Sequence, residues 1–199
     1  MSAGPALRRL YNIPIIHTQQ DLGSLAAPAQ AQTTARLGSP AWQEKQRLGL
    51  KWWDRIADFA TALPQRMAGF RLYQDGLPVC GTEEQIVREL ATAGSRNHQL
   101  LLELVGRGAI LMGTEAPQLL REEYQLAQHV LSGAPGPLPA EPRTLLGRRD
   151  AFIALRIAQT LKPGETGVLF IGALHNISPL LPADIEILRP LQAPAGPPG

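Results

Sequence analysis

The sequence predicts an α/β domain, with a mainly parallel central sheet flanked by helices and a helical insertion. Three observations carry this. Short apolar runs at residues 13–16, 70–73, 109–112 and 168–171 alternate with longer stretches of helical spacing, the order that builds a sheet through crossover helices. The run at 168–171 is apolar throughout, as a strand covered on both faces requires. Each run is followed within a few residues by a side chain that can do chemistry: His17, Asp75, Glu115 and His175 in turn. In open α/β sheets ligands sit beyond the carboxyl ends of the strands, so these four are candidates for one site.

The elements follow in order. Residues 10–16 read as a strand, but Pro14 cannot donate to a ladder, which predicts an edge or irregular strand. Residues 23–37 are rich in Ala and Gln and read as partly helical. Ser39-Pro40 opens the clearest helix, with a good N-cap and then proline in the first turn. Leu48, Trp52, Ile56, Phe59 and Leu63 follow at spacings of four, four, three and four, which is one apolar face. Trp53 lies off that stripe, at the edge of the core, and core packing is the expected role of both tryptophans. Residues 38–67 read as a helical subdomain.

Residues 70–73 form a short strand closed by the Asp75-Gly76 turn signal. Thr82 and Gln85 have capping-box spacing at the head of a helix over 83–93. A helix over 97–105 stops at Gly106 or Gly108. Residues 109–112, between glycines, predict a buried strand, and residues 117–131 another helix. Residues 132–142 hold six Pro and Gly and predict a loop or lid. A helix over 144–161 ends at Pro163-Gly164. Residues 185–188 predict a last, edge strand, and the Pro-, Gly- and Ala-rich residues 191–199 a disordered tail. The expectation is one domain over residues 1–190.

Composition narrows the partners. The 199 residues are 44% hydrophobic and 18% charged, which suits a soluble globular domain. Net charge is +2 and the arginines are scattered, with no basic run interleaved with aromatics, so no nucleic-acid partner is expected. A single cysteine, Cys80, excludes an intramolecular disulfide and fits a reducing cytoplasm. The apolar run after Arg9 is too short for a signal-peptide core. No stretch approaches the roughly 20 apolar residues that span a bilayer. The expectation is therefore a soluble, cytoplasmic protein with a small-molecule or peptide substrate and no membrane partner. Nothing matches a P-loop, a dinucleotide fingerprint, a zincin helix or a Gly-x-Ser-x-Gly elbow.

Arg149 is the most telling single residue. Leu146, Arg149, Ile153 and Ile157 follow at spacings of three, four and four, which sets a guanidinium on the buried face of its helix. A buried arginine needs a carboxylate, a phosphate or a ligand, so a structural ion pair and a functional role both stand open. Arg148 and Asp150 point elsewhere on the wheel and read as solvated. His175 follows Gly172-Ala173-Leu174, small enough at its start for a tight turn beside a ligand. His17 has Asp21 four residues on; imidazole and carboxylate serve both as metal ligands and in acid–base work. Glu115 reads either as a water-activating or metal-binding carboxylate or as a helix N-terminal acid. Asp75 reads first as a turn residue.

The stretch Arg149-Asp150-Ala151-Phe152-Ile153-Ala154, followed by Val168-Leu169-Phe170-Ile171-Gly172-Ala173-Leu174-His175, resembles the C-terminal half of the TraB/TIKI superfamily, with its erythromycin-esterase-like and ChaN-like proteins. Gly113-Thr114-Glu115 resembles the glutamate-bearing segment upstream. The superfamily's first motif is Gly-x-x-His, where this chain has Pro14-Ile15-Ile16-His17. The resemblance implies an α/β fold with a polar site at one end of the sheet. Superfamily members include metal-dependent proteases, metal-independent esterases and haem-binding proteins. Two expectations follow. One is hydrolysis of an ester or amide bond, with His17, Glu115 and His175 holding a divalent metal or arranging a water, and Arg149 at the oxyanion. The other is non-catalytic binding of a small ligand or haem.

Overall fold

A computed structural model describes residues 7–16 and 23–192. Five strands form one sheet in which every pairing is parallel: β1 (Arg8–Ile15), β2 (Phe70–Gln74), β3 (Ile110–Met112), β4 (Thr166–Gly172) and β5 (Ile185–Leu188), in the order β3-β2-β4-β1-β5. Between them run α1 (Ala26–Leu37), α2 (Ser39–Ala62), α3 (Glu83–Thr92), α4 (Arg96–Gly106), α5 (Pro117–Ser132) and α6 (Pro142–Thr160). The α/β class and its parallel sheet are thus as the sequence predicts.

Strand alternation sorts the core into two layers. Ile13, Ile15, Leu72, Val168 and Phe170 face one way and pack on α2, α3 and α4 through Trp52, Trp53, Ile56, Val87, Leu101 and Leu104. Leu10, Tyr73, Leu169 and Ile171 face the other way onto Ile153, Ala154 and Ile157 of α6. Val168, Leu169 and Phe170 of β4 are all completely buried, which accounts for the unbroken apolar run there.

Several local expectations are corrected. β1 is an interior strand. It pairs with β4 along Arg9–Ile15, but β5 pairs only with Arg8–Tyr11, so Pro14 lies past the end of that second ladder. The Pro14 carbonyl accepts a hydrogen bond from Trp52 Nε1 at 2.8 Å, and the Ile16 carbonyl one from Trp53 Nε1 at 3.0 Å. Trp53 is therefore as buried as Trp52. β3 is an edge strand and leaves Ile110 half exposed. The N-cap of α2 is Gly38, with Ser39 and Pro40 already in its first turn. No capping box forms at α3. Glu83 Oε1 instead accepts from the Cys80 and Gly81 backbone N–H groups at 2.9 and 3.1 Å. Leu191, at the head of the expected tail, packs partly buried against the core, and residues 193–199 lie outside the described residues. Among the described residues no helix is long and apolar enough to cross a membrane.

One feature of the topology positions the site. β2 and β4 are neighbours, yet the chain leaves β2 toward the α3–α4 layer and leaves β4 toward the α6 layer. Such a divergence opens a crevice at the carboxyl ends of the strands.

Candidate active site

Three of the four strand-exit residues meet in that crevice. Asp75 follows β2, Glu115 follows β3, and His175 closes a turn after β4, its backbone N–H bonded to the Gly172 carbonyl at 3.1 Å. His17 and Asp21 lie outside the described residues.

Arg149 reaches in from α6 and joins the first two. Its Nε donates to Glu115 Oε2 at 2.6 Å and its Nη2 to Glu115 Oε1 at 2.7 Å, a bidentate pair. Nη2 also donates to Asp75 Oδ1 at 2.8 Å, and Nη1 donates to Glu123 Oε1 from α5. Backbone groups hold the two buried carboxylates from behind. Gly172 N–H donates to Asp75 Oδ2 at 2.9 Å, and Gly76 N–H to Glu115 Oε1 at 2.7 Å. Gly76 has φ +78°, a left-handed conformation that glycine adopts without steric cost. The carboxylates of Asp75 and Glu115 are almost wholly shielded, whereas the Glu123 side chain is 46% exposed.

Burial pushes the Glu115 carboxyl above its ordinary range; Arg149 pulls it back, and the charge of Asp75 pushes it up again. Burial works against the guanidinium charge of Arg149, but Glu115, Asp75 and Glu123 outweigh it, so Arg149 remains a cation.

His175 belongs to a second, connected arrangement. Its Nδ1 lies 2.5 Å from Asp150 Oδ1, while Asp150 Oδ2 accepts from the Asn176 backbone N–H at 3.0 Å. An ionised carboxylate only accepts, so Nδ1 carries the hydrogen and Nε2 of the neutral ring is left as an acceptor. Nε2 stands 3.6 Å from Asp75 Oδ2, too far for a direct hydrogen bond. Burial pulls the imidazole pKa down and Arg149 repels its charge, but the carboxylates of Asp75 and Asp150 outweigh both, and the pKa is raised above 6.5.

The two arrangements border a cavity of about 560 Å³. Asp75, Glu123, Tyr124, Arg149 and His175 bring polar side-chain groups to it, and most of the remaining wall is apolar. Its size is within the usual range of small-molecule sites. No residue of the 133–141 loop lines it, so the expected lid is not placed over this site.

Asp150, expected to be solvated, and Glu123, which no sequence motif marks, are central here. Asp150 is 6% exposed and orients His175. Its signal was present: Ile153, Ala154 and Ile157 follow it at three, four and seven, and all are buried. Glu123 carries no signal in the sequence, because its partner is 26 residues away on another helix.

Of the three expected metal ligands, Glu115 and His175 are among the described residues and His17 is not. Both oxygens of Glu115 are engaged by Arg149, and a divalent cation there would stand against a guanidinium. Among the described residues no group of three or more His, Cys, Asp and Glu side chains has the placement to hold a metal ion. Glu115 is 1% exposed and is not part of the cavity wall.

No family model, no curated protein and no solved structure matches the chain.

Proposed function

We propose that the chain hydrolyses an ester or amide bond, with His175 as general base. The observation that carries this is the Asp150–His175 pair, with His175 in the wall of a cavity at the carboxyl ends of the strands. A base held in one tautomer by a carboxylate is the arrangement that proton abstraction requires. Among the described residues the cavity wall contains no serine, threonine or cysteine, and the nucleophile in this reading is water. The 3.6 Å gap between Nε2 and Asp75 Oδ2 suits a water bonded to both. His175 takes its proton as the oxygen attacks the carbonyl carbon. The C–O or C–N bond then breaks, and the proton passes from Nε2 to the leaving group.

Arg149 has two parts in this reading. Four of its five N–H donors fix Asp75, Glu115 and Glu123. The fifth, on a guanidinium that lines the cavity, is the donor to the developing oxyanion. The resemblance of the α6–β4 segment to TraB/TIKI and erythromycin-esterase-like proteins supports the same reading. Haem binding has less support, because Nε2, the atom an iron would need, faces Asp75, and the acidic groups around it oppose propionates.

The test is turnover of a panel of 4-nitrophenyl esters and peptide amides by the wild type and H175Q, each with and without a chelator. Loss in H175Q with the fold intact supports the reading. A full rate in H175Q removes His175 from the chemistry.

A further inference from the structure

We propose that the cavity takes uncharged acyl substrates with an apolar chain, and that Glu123 is the residue that shuts out anionic ones; this names the substrate class of the hydrolase site above and rests on that reading. The apolar side chains of the wall include Ile15, Leu25, Leu120, Ala127, Leu146 and Leu174. Leu174 is 84% exposed, far more than any other large apolar residue of the described chain, and it belongs to this wall. An apolar chain entering the cavity covers it and the residues behind it, removing apolar surface from water.

Charge decides what the polar end accepts. Among the described residues, the carboxylates of Asp75, Glu115, Glu123 and Asp150 meet two groups that can carry positive charge, Arg149 and His175. Among these described groups, even with His175 protonated and one proton held on Glu115, negative charge is in excess. A substrate carboxylate near the reacting carbon therefore meets repulsion, and specificity arises from what is rejected. Among the described residues of the cavity wall, Arg149 is the one fixed cation, and its Nη1 is already bonded to Glu123.

The three carboxylates on Arg149 are not equivalent. Asp75 and Glu115 are buried and pinned by the Gly172 and Gly76 backbone. The Glu123 side chain is 46% exposed, on the cavity side of the guanidinium. It occupies the place an acyl carboxylate would take, and it adds a like charge beside it. Removing Glu123 frees a donor and subtracts a negative charge at the same point, so it should admit anionic substrates.

The experiment pairs 4-nitrophenyl pentanoate with mono-4-nitrophenyl glutarate, which has the same chain length but a terminal carboxylate. In the wild type kcat/KM for the pentanoate ester should exceed that for 4-nitrophenyl acetate, and for the glutarate ester it should be lower than for the pentanoate by about 10-fold or more. E123A should raise the glutarate-to-pentanoate ratio by about 10-fold, and E123Q, which removes charge but keeps size, should move it the same way by less. A second arm does not depend on turnover: pentanamide and glutaramate are titrated against H175A and against H175A/E123A, with NMR as readout. Pentanamide should bind both proteins and glutaramate only the double variant. Equal binding of the two amides with Glu123 in place, binding of neither, or a ratio that E123A leaves unmoved overturns the proposal. Selective pentanamide binding without turnover of any ester would instead keep the pocket assignment and sink the hydrolase reading.

Discussion

Asp75 Oδ2 accepts a hydrogen bond from the Gly172 backbone N–H at 2.9 Å, which ties the exit of β2 to the exit of β4. The same oxygen stands 3.6 Å from His175 Nε2, and the other oxygen of Asp75 is bonded to Arg149. One carboxylate thus sets the width of the crevice, faces the proposed base and anchors the buried cation.

Asp150 should govern rate more than binding. In D150N the carboxamide keeps a polar atom near His175 Nδ1 but loses the charge that stabilises an imidazolium. It also turns an amide against either the ring or the Asn176 N–H. We expect kcat to fall by about 10²–10⁴ with KM little changed, as measured by steady-state ester hydrolysis. An unaltered kcat would show that the pair does no proton transfer.

Arg149 should be a stability residue as well as a site residue. R149M leaves Asp75 and Glu115 buried without their cation, at a cost of about 3–5 kcal/mol. R149K should recover only part of this, since an ammonium cannot supply the paired N–H geometry that Glu115 receives. Urea denaturation midpoints of the three proteins measure the order wild type, R149K, R149M; equal midpoints for R149M and wild type would contradict it.

These two residues also show what was legible in advance. The helical spacing of Arg149 with Ile153 and Ile157 placed the guanidinium on the buried face, and the strand exits placed Asp75, Glu115 and His175 at one rim; all four meet. Spacing along a chain reveals which way a side chain faces, but not which charged groups from other elements will saturate it. Glu115 therefore read as free for chemistry, although Arg149 and Gly76 occupy both its oxygens. The Arg149 stripe is only part of the buried face: α6 is covered more widely and buries Asp150 too. Pro14 misled for a related reason: a strand can be interior along half its length and open along the rest, and no single-strand pattern shows where its neighbour ends.

The pH dependence should run in opposite directions for stability and rate. The folded-state pKa of His175 is raised above 6.5, so protonation is favoured by folding. Its contribution to stability is complete below the unfolded value and fades as pH rises through the higher folded value. The general base, in contrast, must be neutral, so kcat/KM should climb over that same interval. Urea midpoints and kcat/KM from about pH 5.5 to about pH 9 should cross in this manner, and H175Q should flatten the kinetic limb. A rate that falls through this interval would exclude a neutral imidazole as the base.

Gly113 should not tolerate a side chain. A Cβ built there would stand 2.6 Å from Glu83 Oε1, 2.8 Å from the Pro78 carbonyl and 2.8 Å from Val79 Cα. Pro78 and Val79 belong to the segment that bridges to Glu115, whose carbonyl accepts from Val79 N–H at 2.8 Å. G113A should lose about 1–3 kcal/mol and displace Glu115 from Arg149. Thermal denaturation reads the first effect, and the NMR shift of the Arg149 Nε–H the second.

Because a single guanidinium clamps carboxylates that arrive from two different strands, the reactive pocket and the scaffold cannot fail independently. A library randomised across the crevice and sorted only for folded molecules should already be nearly fixed at positions 75, 115 and 149, before any demand for turnover is made. Diversity should survive at positions 123 and 174, where side chains meet water. New selectivity in this scaffold would then have to arise at the mouth, with the acidic floor inherited unchanged.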